Sequence, residues 1–167
     1  MTISPDLQRI YASAPQDDKY IETLEMSHPL FSRSFFFTND LSPWKFLLED
    51  GKTQQDFEIV PFEIILPAQD GGGQQDLKIG IDNVGREAVE EIEAAQEDPT
   101  QPISVVYRVY LDTILTVPQI DPPIRLSLTD IQVSLNAITG IATRADTLNR
   151  LFPNVVYRSE TFPGLDR

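Results

Sequence analysis

Apolar and polar residues alternate along much of the chain, which is the pattern of half-buried β-strands. In the clearest case, residues 103–111, one face of the strand would carry Ile103, Val105, Tyr107, Val109 and Leu111. Similar stretches, bounded by turn-forming residues, recur along the sequence. They predict strands at residues 20–26, 34–38, 44–48, 57–66, 77–81, 124–128, 131–135 and 138–143.

Two interruptions of this pattern indicate local distortions of the sheet. Pro61 has no amide hydrogen, so the 57–66 strand should be bent, bulged or at a sheet edge. The apolar positions after residue 128 resume out of phase across Thr129 and Asp130. This change of phase predicts a β-bulge.

Two other stretches have the spacing of amphipathic helices. Ser4 and Pro5 suit the first positions of a helix that should end before Pro15. A second helix is predicted at residues 84–95, with Asn83 as its cap. Its apolar face would comprise Val84, Ala88, Ile92 and Ala95.

Together these elements predict a mainly β fold, either a β-sandwich or a partly open barrel. One amphipathic helix is inserted in it, and a short helix precedes it. We expect an N-terminal helix or arm at residues 1–19 and a β-rich domain at residues 20–145. Residues 146–167 form an apolar segment without periodicity. We expect that segment to pack on its own domain or on a neighbouring subunit.

The formal net charge is -13, from 26 acidic and 13 basic residues. This charge disfavours binding to nucleic acids and to anionic membranes, since both are bound through Lys and Arg. The chain has no cysteine, which excludes disulfides and thiolate metal sites. Its first residues lack the basic and apolar regions of a signal peptide, so we expect synthesis in the cytoplasm.

Catalytic chemistry has little support in this sequence. His28 is the single histidine, and no nucleophile motif accompanies it. Neither G-x-G-x-x-G nor the Walker pattern occurs. A zinc site would need clustered ligands that the composition does not offer. We therefore expect no catalytic residues, no metal, no cofactor and no enzyme activity.

Interface residues are expected in two places. The acidic helix contributes Glu87 and Glu91, and its charge contrasts with the more basic C-terminal end. These opposite charges would be complementary between copies of the chain in a ring. The C-terminal candidates are Arg150, Leu151, Phe152, Tyr157, Arg158, Phe162 and Leu165.

Four stretches resemble a family of tail-tip proteins from long-tailed bacteriophages, long catalogued as a domain of unknown function. They have the sequences LEMSHP at 24–29, VPFEI at 60–64, LKIGIDNVGR at 77–86 and FPGL at 162–165. Residues 20–167 are also similar in order to the N-terminal part of the lambda minor tail protein L. That protein carries a cysteine-rich C-terminal region, so its metal cluster is not implied for this cysteine-free chain.

The resemblance implies a structural subunit of the virion, located at the tail tip or baseplate and made in the host cytoplasm. It implies contacts with the distal ring and with the hub or central fibre protein. It also implies a closed homo-oligomeric ring, a trimer. The alternative is a β-sandwich carbohydrate-binding module, which would need exposed aromatic side chains in a groove.

Overall fold

The computed structural model describes residues 2–13, 19–42, 44–65, 77–82, 84–96, 101–134 and 137–144. It contains two helices, α1 (Pro5–Ser13) and α2 (Arg86–Gln96). The strands of the first half are β1 (Thr2–Ile3), β2 (Tyr20–Ser27), β3 (Phe35–Thr38), β4 (Lys45–Leu47), β5 (Gln54–Asp56), β6 (Glu58–Ile59) and β7 (Phe62–Ile65). Those of the second half are β8 (Leu77–Asp82), β9 (Ile103–Leu111), β10 (Ile120–Asp121), β11 (Ile124–Val133) and β12 (Ala137–Arg144).

Eight of these strands form one sheet in the order β6-β3-β2-β9-β11-β12-β8-β7. The two outermost strands, β6 and β7, are joined by only Val60 and Pro61, so the sheet must curl until its edges approach each other. The Val60 amide bonds to the Thr38 carbonyl at one edge, and the Asp82 amide bonds to the Pro61 carbonyl at the other. Of the two predicted architectures, the partly open barrel is therefore the one that forms.

The predicted 57–66 strand is broken at Pro61, as its missing amide hydrogen requires. Glu58–Ile59 pairs parallel with β3, whereas Phe62–Ile65 pairs antiparallel with β8. The prediction of a bend or an edge position is thus confirmed. One segment supplies both edges of the half-barrel.

Helix α2 covers one half of the concave side of the sheet. Its buried residues are Ala88, Ile92 and Ala95, and Val84 just before the helix joins the same core. This confirms the face predicted from the helical spacing, while the predicted cap Asn83 lies outside the described residues. Complete burial of a side chain such as Ile92 stabilises the fold by about 1.5–3 kcal/mol.

Helix α1 covers the other half of the concave side. The Ser4 hydroxyl accepts a hydrogen bond from the Leu7 amide at 3.2 Å, so the predicted helix start is confirmed. Leu7 and Ile10 pack on Val109 and Leu111 of β9. The two helices therefore fill the concave side along the length of β9.

The convex side of the sheet is partly covered by the hairpin of β4 and β5. Phe46 of β4 packs on Tyr110 with ring centroids 4.4 Å apart, and Phe57 packs on Phe46 at 5.0 Å. The Tyr110 hydroxyl donates to the Leu47 carbonyl at 2.9 Å. Strand β9 is consequently buried on both faces, whereas its alternation predicted a single apolar face.

The predicted bulge in β11 is also confirmed. The pairing of β11 with β12 shifts register between Thr129 and Gln132. Asp130 lies between them with φ of 48°, in the left-handed region. The predicted segment 146–167 lies outside the described residues.

Candidate functional site

The first candidate site is a buried ionic cluster on the convex side of the sheet. Arg108 of β9 is 2% exposed. Its Nη2 donates to Glu25 Oε2 at 2.6 Å and its Nε donates to Glu49 Oε1 at 2.7 Å. Glu25 belongs to β2 and Glu49 lies between β4 and β5, so Arg108 ties the hairpin to the sheet.

The electrostatics of this cluster favour the charged forms. Burial alone would raise the pKa of Glu49, but its bond to Arg108 and the Arg108 charge lower that pKa overall. Burial would lower the pKa of Arg108, and the two carboxylates outweigh it and raise that pKa. The Thr23 hydroxyl also contacts Arg108, donating to its carbonyl at 3.2 Å. The geometry fits a fixed ionic brace between the hairpin and the sheet.

A second polar cluster lies where α1 meets β2 and β9. The Tyr107 hydroxyl donates to Glu22 Oε1 at 2.6 Å. The rings of Tyr11 and Tyr20 meet edge to face, with centroids 5.6 Å apart. Burial raises the pKa of Tyr107, and the bond to Glu22 raises it further. The Tyr107 hydroxyl therefore stays protonated, and burial together with the nearby Glu22 charge also raises the pKa of Tyr11.

His28 lies in a turn directly after β2 and is only 7% exposed. Its Nε2 lies 3.0 Å from the Gln101 carbonyl oxygen, and the Leu30 amide donates to its Nδ1 at 3.2 Å. The ring thus joins two backbone segments, with the hydrogen on Nε2. These contacts fit a structural role.

An open depression of about 510 Å³ lies beside His28. Its lining side chains are small or polar: Ser27, His28, Pro29, Gln101, Pro102 and Ser104. A second depression of about 260 Å³ shares Gln101 and Pro102 with it. Both depressions are open to solvent, whereas small-molecule sites are typically enclosed clefts.

The acidic interface candidates on α2 are engaged within the chain. Ser32 donates through its hydroxyl to Glu91 Oε1 and through its amide to Glu91 Oε2, the latter at 3.1 Å. Arg33 lies 3.4 Å from Glu87 and 3.2 Å from Glu58. These bonds hold the loop between β2 and β3 against the helix. The role of Glu87 and Glu91 in an interface between chains stays a prediction.

The other interface candidates lie outside the described residues. They are Arg150, Leu151, Phe152, Tyr157, Arg158, Phe162 and Leu165. Among the described residues, no group of three or more His, Cys, Asp and Glu side chains is placed to hold a metal ion. In that same part of the chain, neither helix is long and apolar enough to cross a membrane.

Neither the Arg108 cluster nor the cluster of Tyr107 and Glu22 was predicted from the sequence. A signal for Arg108 was present, because it is the one charged residue in the apolar stretch 103–111. A charge there needs partners if the strand is buried on both faces. Nothing in the sequence could identify Glu49 as one of those partners, since it is 59 positions away.

Comparison with known proteins gives one family match. A family model described as a domain of unknown function (DUF1833) matches residues 6–157. The matched region includes α1 except for Pro5, all of α2 and all eight strands of the curled sheet. No curated protein matches the sequence.

Proposed function

We propose that this chain, which belongs to the DUF1833 family, is a structural subunit of a bacteriophage tail tip. In this role it joins the distal tail to the hub or receptor-binding protein through protein–protein contacts. The sequence motifs at residues 24–29, 60–64, 77–86 and 162–165 support the proposal, because they resemble the tail-tip proteins named above. Three copies would form a ring in the virion.

The observation that carries this proposal is the filled concave side of the half-barrel. Many barrels bind their ligands in the interior, but here two helices and the strand side chains occupy that space. The convex side is partly covered by the β4–β5 hairpin. The parts left for recognition are outer surfaces and sheet edges, and such surfaces suit contacts with other proteins.

Several large apolar side chains on the surface are consistent with such contacts. Leu41 is 89% exposed and Leu30 is 58% exposed, and Ile65 at the end of edge strand β7 is 50% exposed. Aromatic side chains are enriched in protein interfaces, and Tyr11 and Tyr20 add two exposed rings. The alternative carbohydrate-binding module needs aromatic rings in a groove, whereas these two rings meet edge to face.

Coexpression with the adjacent tail-tip proteins tests the proposal. We expect mass photometry to show the purified chain in a closed oligomer, alone or with its neighbours. A chain that stays a monomer and joins none of them would overturn the proposal. A glycan array with the same protein tests the alternative, and specific glycan binding by the monomer would favour it.

A further inference from the structure

Three tyrosines and one glutamate converge at the end of the half-barrel that α1 covers. Tyr20 and Glu22 are two positions apart on β2, so their side chains lie on the same face of the strand. Tyr107 reaches Glu22 from the neighbouring strand β9, and Tyr11 reaches Tyr20 from α1. Three separate elements, β2, β9 and α1, therefore build this cluster.

Two of the aromatic side chains in this cluster are exposed to solvent and could contact another molecule. Tyr11 is 53% exposed and Tyr20 is 47% exposed, although large aromatic side chains usually bury most of their area. A carboxylate can accept about four hydrogen bonds. Within the described part of the chain, the Glu22 carboxylate accepts one, from the Tyr107 hydroxyl to Oε1. That bond fixes the carboxylate and leaves Oε2 available.

These groups have the chemistry that recognises a cation. The faces of aromatic rings carry partial negative charge and attract Lys and Arg. The Glu22 carboxylate adds a full negative charge, and the chain as a whole carries -13. Raised pKa values keep the Tyr107 and Tyr11 hydroxyls neutral, so Glu22 supplies the negative charge among these three residues. The site is complementary to a basic group.

We infer that Tyr11, Tyr20 and Glu22 form a docking site for an arginine side chain of a partner protein. The guanidinium would stack on an exposed tyrosine ring and donate to the free oxygen of Glu22. Arginine suits this arrangement better than lysine, because its planar group is weakly hydrated and stacks on aromatic faces. One part of the inference rests on the proposed function, namely that the arginine belongs to a partner chain.

The binding chemistry can be tested first with N-acetyl-arginine amide as the probe. We expect it to shift the backbone NMR signals of Tyr11, Tyr20 and Glu22 in a saturable, millimolar titration. The matching citrulline amide has the same shape without the charge and should cause no such shift. Equal shifts with the citrulline or the lysine derivative would overturn the inference.

Variants of the three residues then locate the site. Glu22→Gln keeps an oxygen for the Tyr107 hydroxyl and should weaken arginine binding at least about fivefold, because it removes the ionic partner. Tyr11→Leu should weaken it about two- to fivefold, as expected for one cation–π contact at an exposed site. Tyr11→Phe should bind normally. The matched control is Glu63→Gln, an exposed glutamate on β7.

Two outcomes of these titrations would contradict the inference. One is a Glu63→Gln variant that loses as much affinity as Glu22→Gln, which would indicate attraction to the net charge alone. The other is a Glu22→Gln variant with unchanged affinity and an unchanged melting temperature. If Glu22→Gln has a lowered melting temperature, the titration is repeated at a temperature where that variant is fully folded, so that unfolding is not mistaken for a loss of affinity.

Coexpression with the tail-tip neighbours separates this inference from the proposed function. If the wild-type chain assembles and the Glu22→Gln and Tyr11→Leu variants assemble equally well, the docking site is wrong and the proposed function stands. If the chain binds the arginine probe as expected but never joins the neighbours, the proposed function fails. Reduced assembly of both variants, with Glu63→Gln assembling normally, supports both.

Discussion

Replacement of Arg108 by methionine tests whether the buried ionic cluster holds the hairpin on the sheet. Methionine keeps much of the apolar stem of the side chain, so the main loss is the charge and its hydrogen bonds. Glu25 and Glu49, at 17% and 31% side-chain exposure, would then lose the cation that both of them bind. Removal of one partner from a buried ion pair costs about 3–5 kcal/mol.

We expect the lower end of that range, about 3 kcal/mol, because both carboxylates keep some contact with water. Urea unfolding at pH 7 measures this loss, followed by circular dichroism and by the fluorescence of Trp44. Trp44 is the only tryptophan and packs beside the hairpin core, so its signal reports the hairpin directly. The two probes should shift together if the hairpin and the sheet unfold as one unit.

The control is Arg86→Met, which removes a guanidinium that is 92% exposed and paired with Glu90 one helical turn away. Its unfolding should resemble that of the wild type, since exposed pairs contribute little. The triple change of Arg108→Met with Glu25→Gln and Glu49→Gln should recover most of the lost stability. A loss below about 1 kcal/mol for Arg108→Met would refute the role of this cluster, by comparison with the range for buried pairs.

The same cluster predicts a dependence on pH. The pKa of Glu49 is lowered in the folded protein from its usual 4.5. The ion pair therefore stabilises the fold fully above pH 4.5, and this contribution is lost as the pH falls through the lower folded pKa. We expect Trp44 fluorescence to show weaker stability below pH 4.5 in the wild type. An equally steep decline in Arg108→Met would contradict the assignment.

Three further predictions concern the bulge, a tight strand contact and assembly. Gly140→Ala should destabilise the fold by about 1–3 kcal/mol in thermal unfolding, because the new Cβ would lie 2.9 Å from a side-chain carbon of β11. Gly80→Ala on the adjacent strand, with nothing within 4 Å, should be nearly neutral and serves as its control. Asp130→Val should cost about 1–2 kcal/mol more than Asp130→Gly, since φ is 48° there; equal unfolding temperatures would contradict this. Changing both Arg150 and Arg158 to Glu should reduce the oligomer mass in mass photometry, and an unchanged mass would reject charge complementarity between copies.

Many features of the fold can be predicted from short stretches of the sequence. The start of α1 follows from Ser4 and Pro5, and the buried face of α2 follows from its spacing. The break at Pro61 follows from one missing hydrogen, and the bulge at Asp130 follows from a change of phase. Each of these features depends on residues within a few positions of one another, so a sequence pattern is sufficient to reveal it.

Short polar elements could not be predicted in the same way. Strand β5, with the sequence Gln-Gln-Asp, has no apolar residue to mark it. It exists because β4 pairs with it, and β4 is fixed by the packing of Phe46 on Tyr110. The double burial of β9 likewise depends on that hairpin folding over it. Tertiary contacts define these elements, and their own composition does not.

The sequence by itself determined a mainly β, cysteine-free and acidic chain with two helices of known faces. Only the tertiary structure decided that the sheet curls into a half-barrel, because the two-residue link between β6 and β7 brings its edges together. It alone placed Arg108 beside Glu25 and Glu49, and Tyr11 beside Tyr20 and Glu22. Arg108 is far from Glu25 and Glu49 in the chain, and Tyr11 and Tyr20 lie on different elements. Charge or aromatic character alone does not specify which groups of different elements will meet.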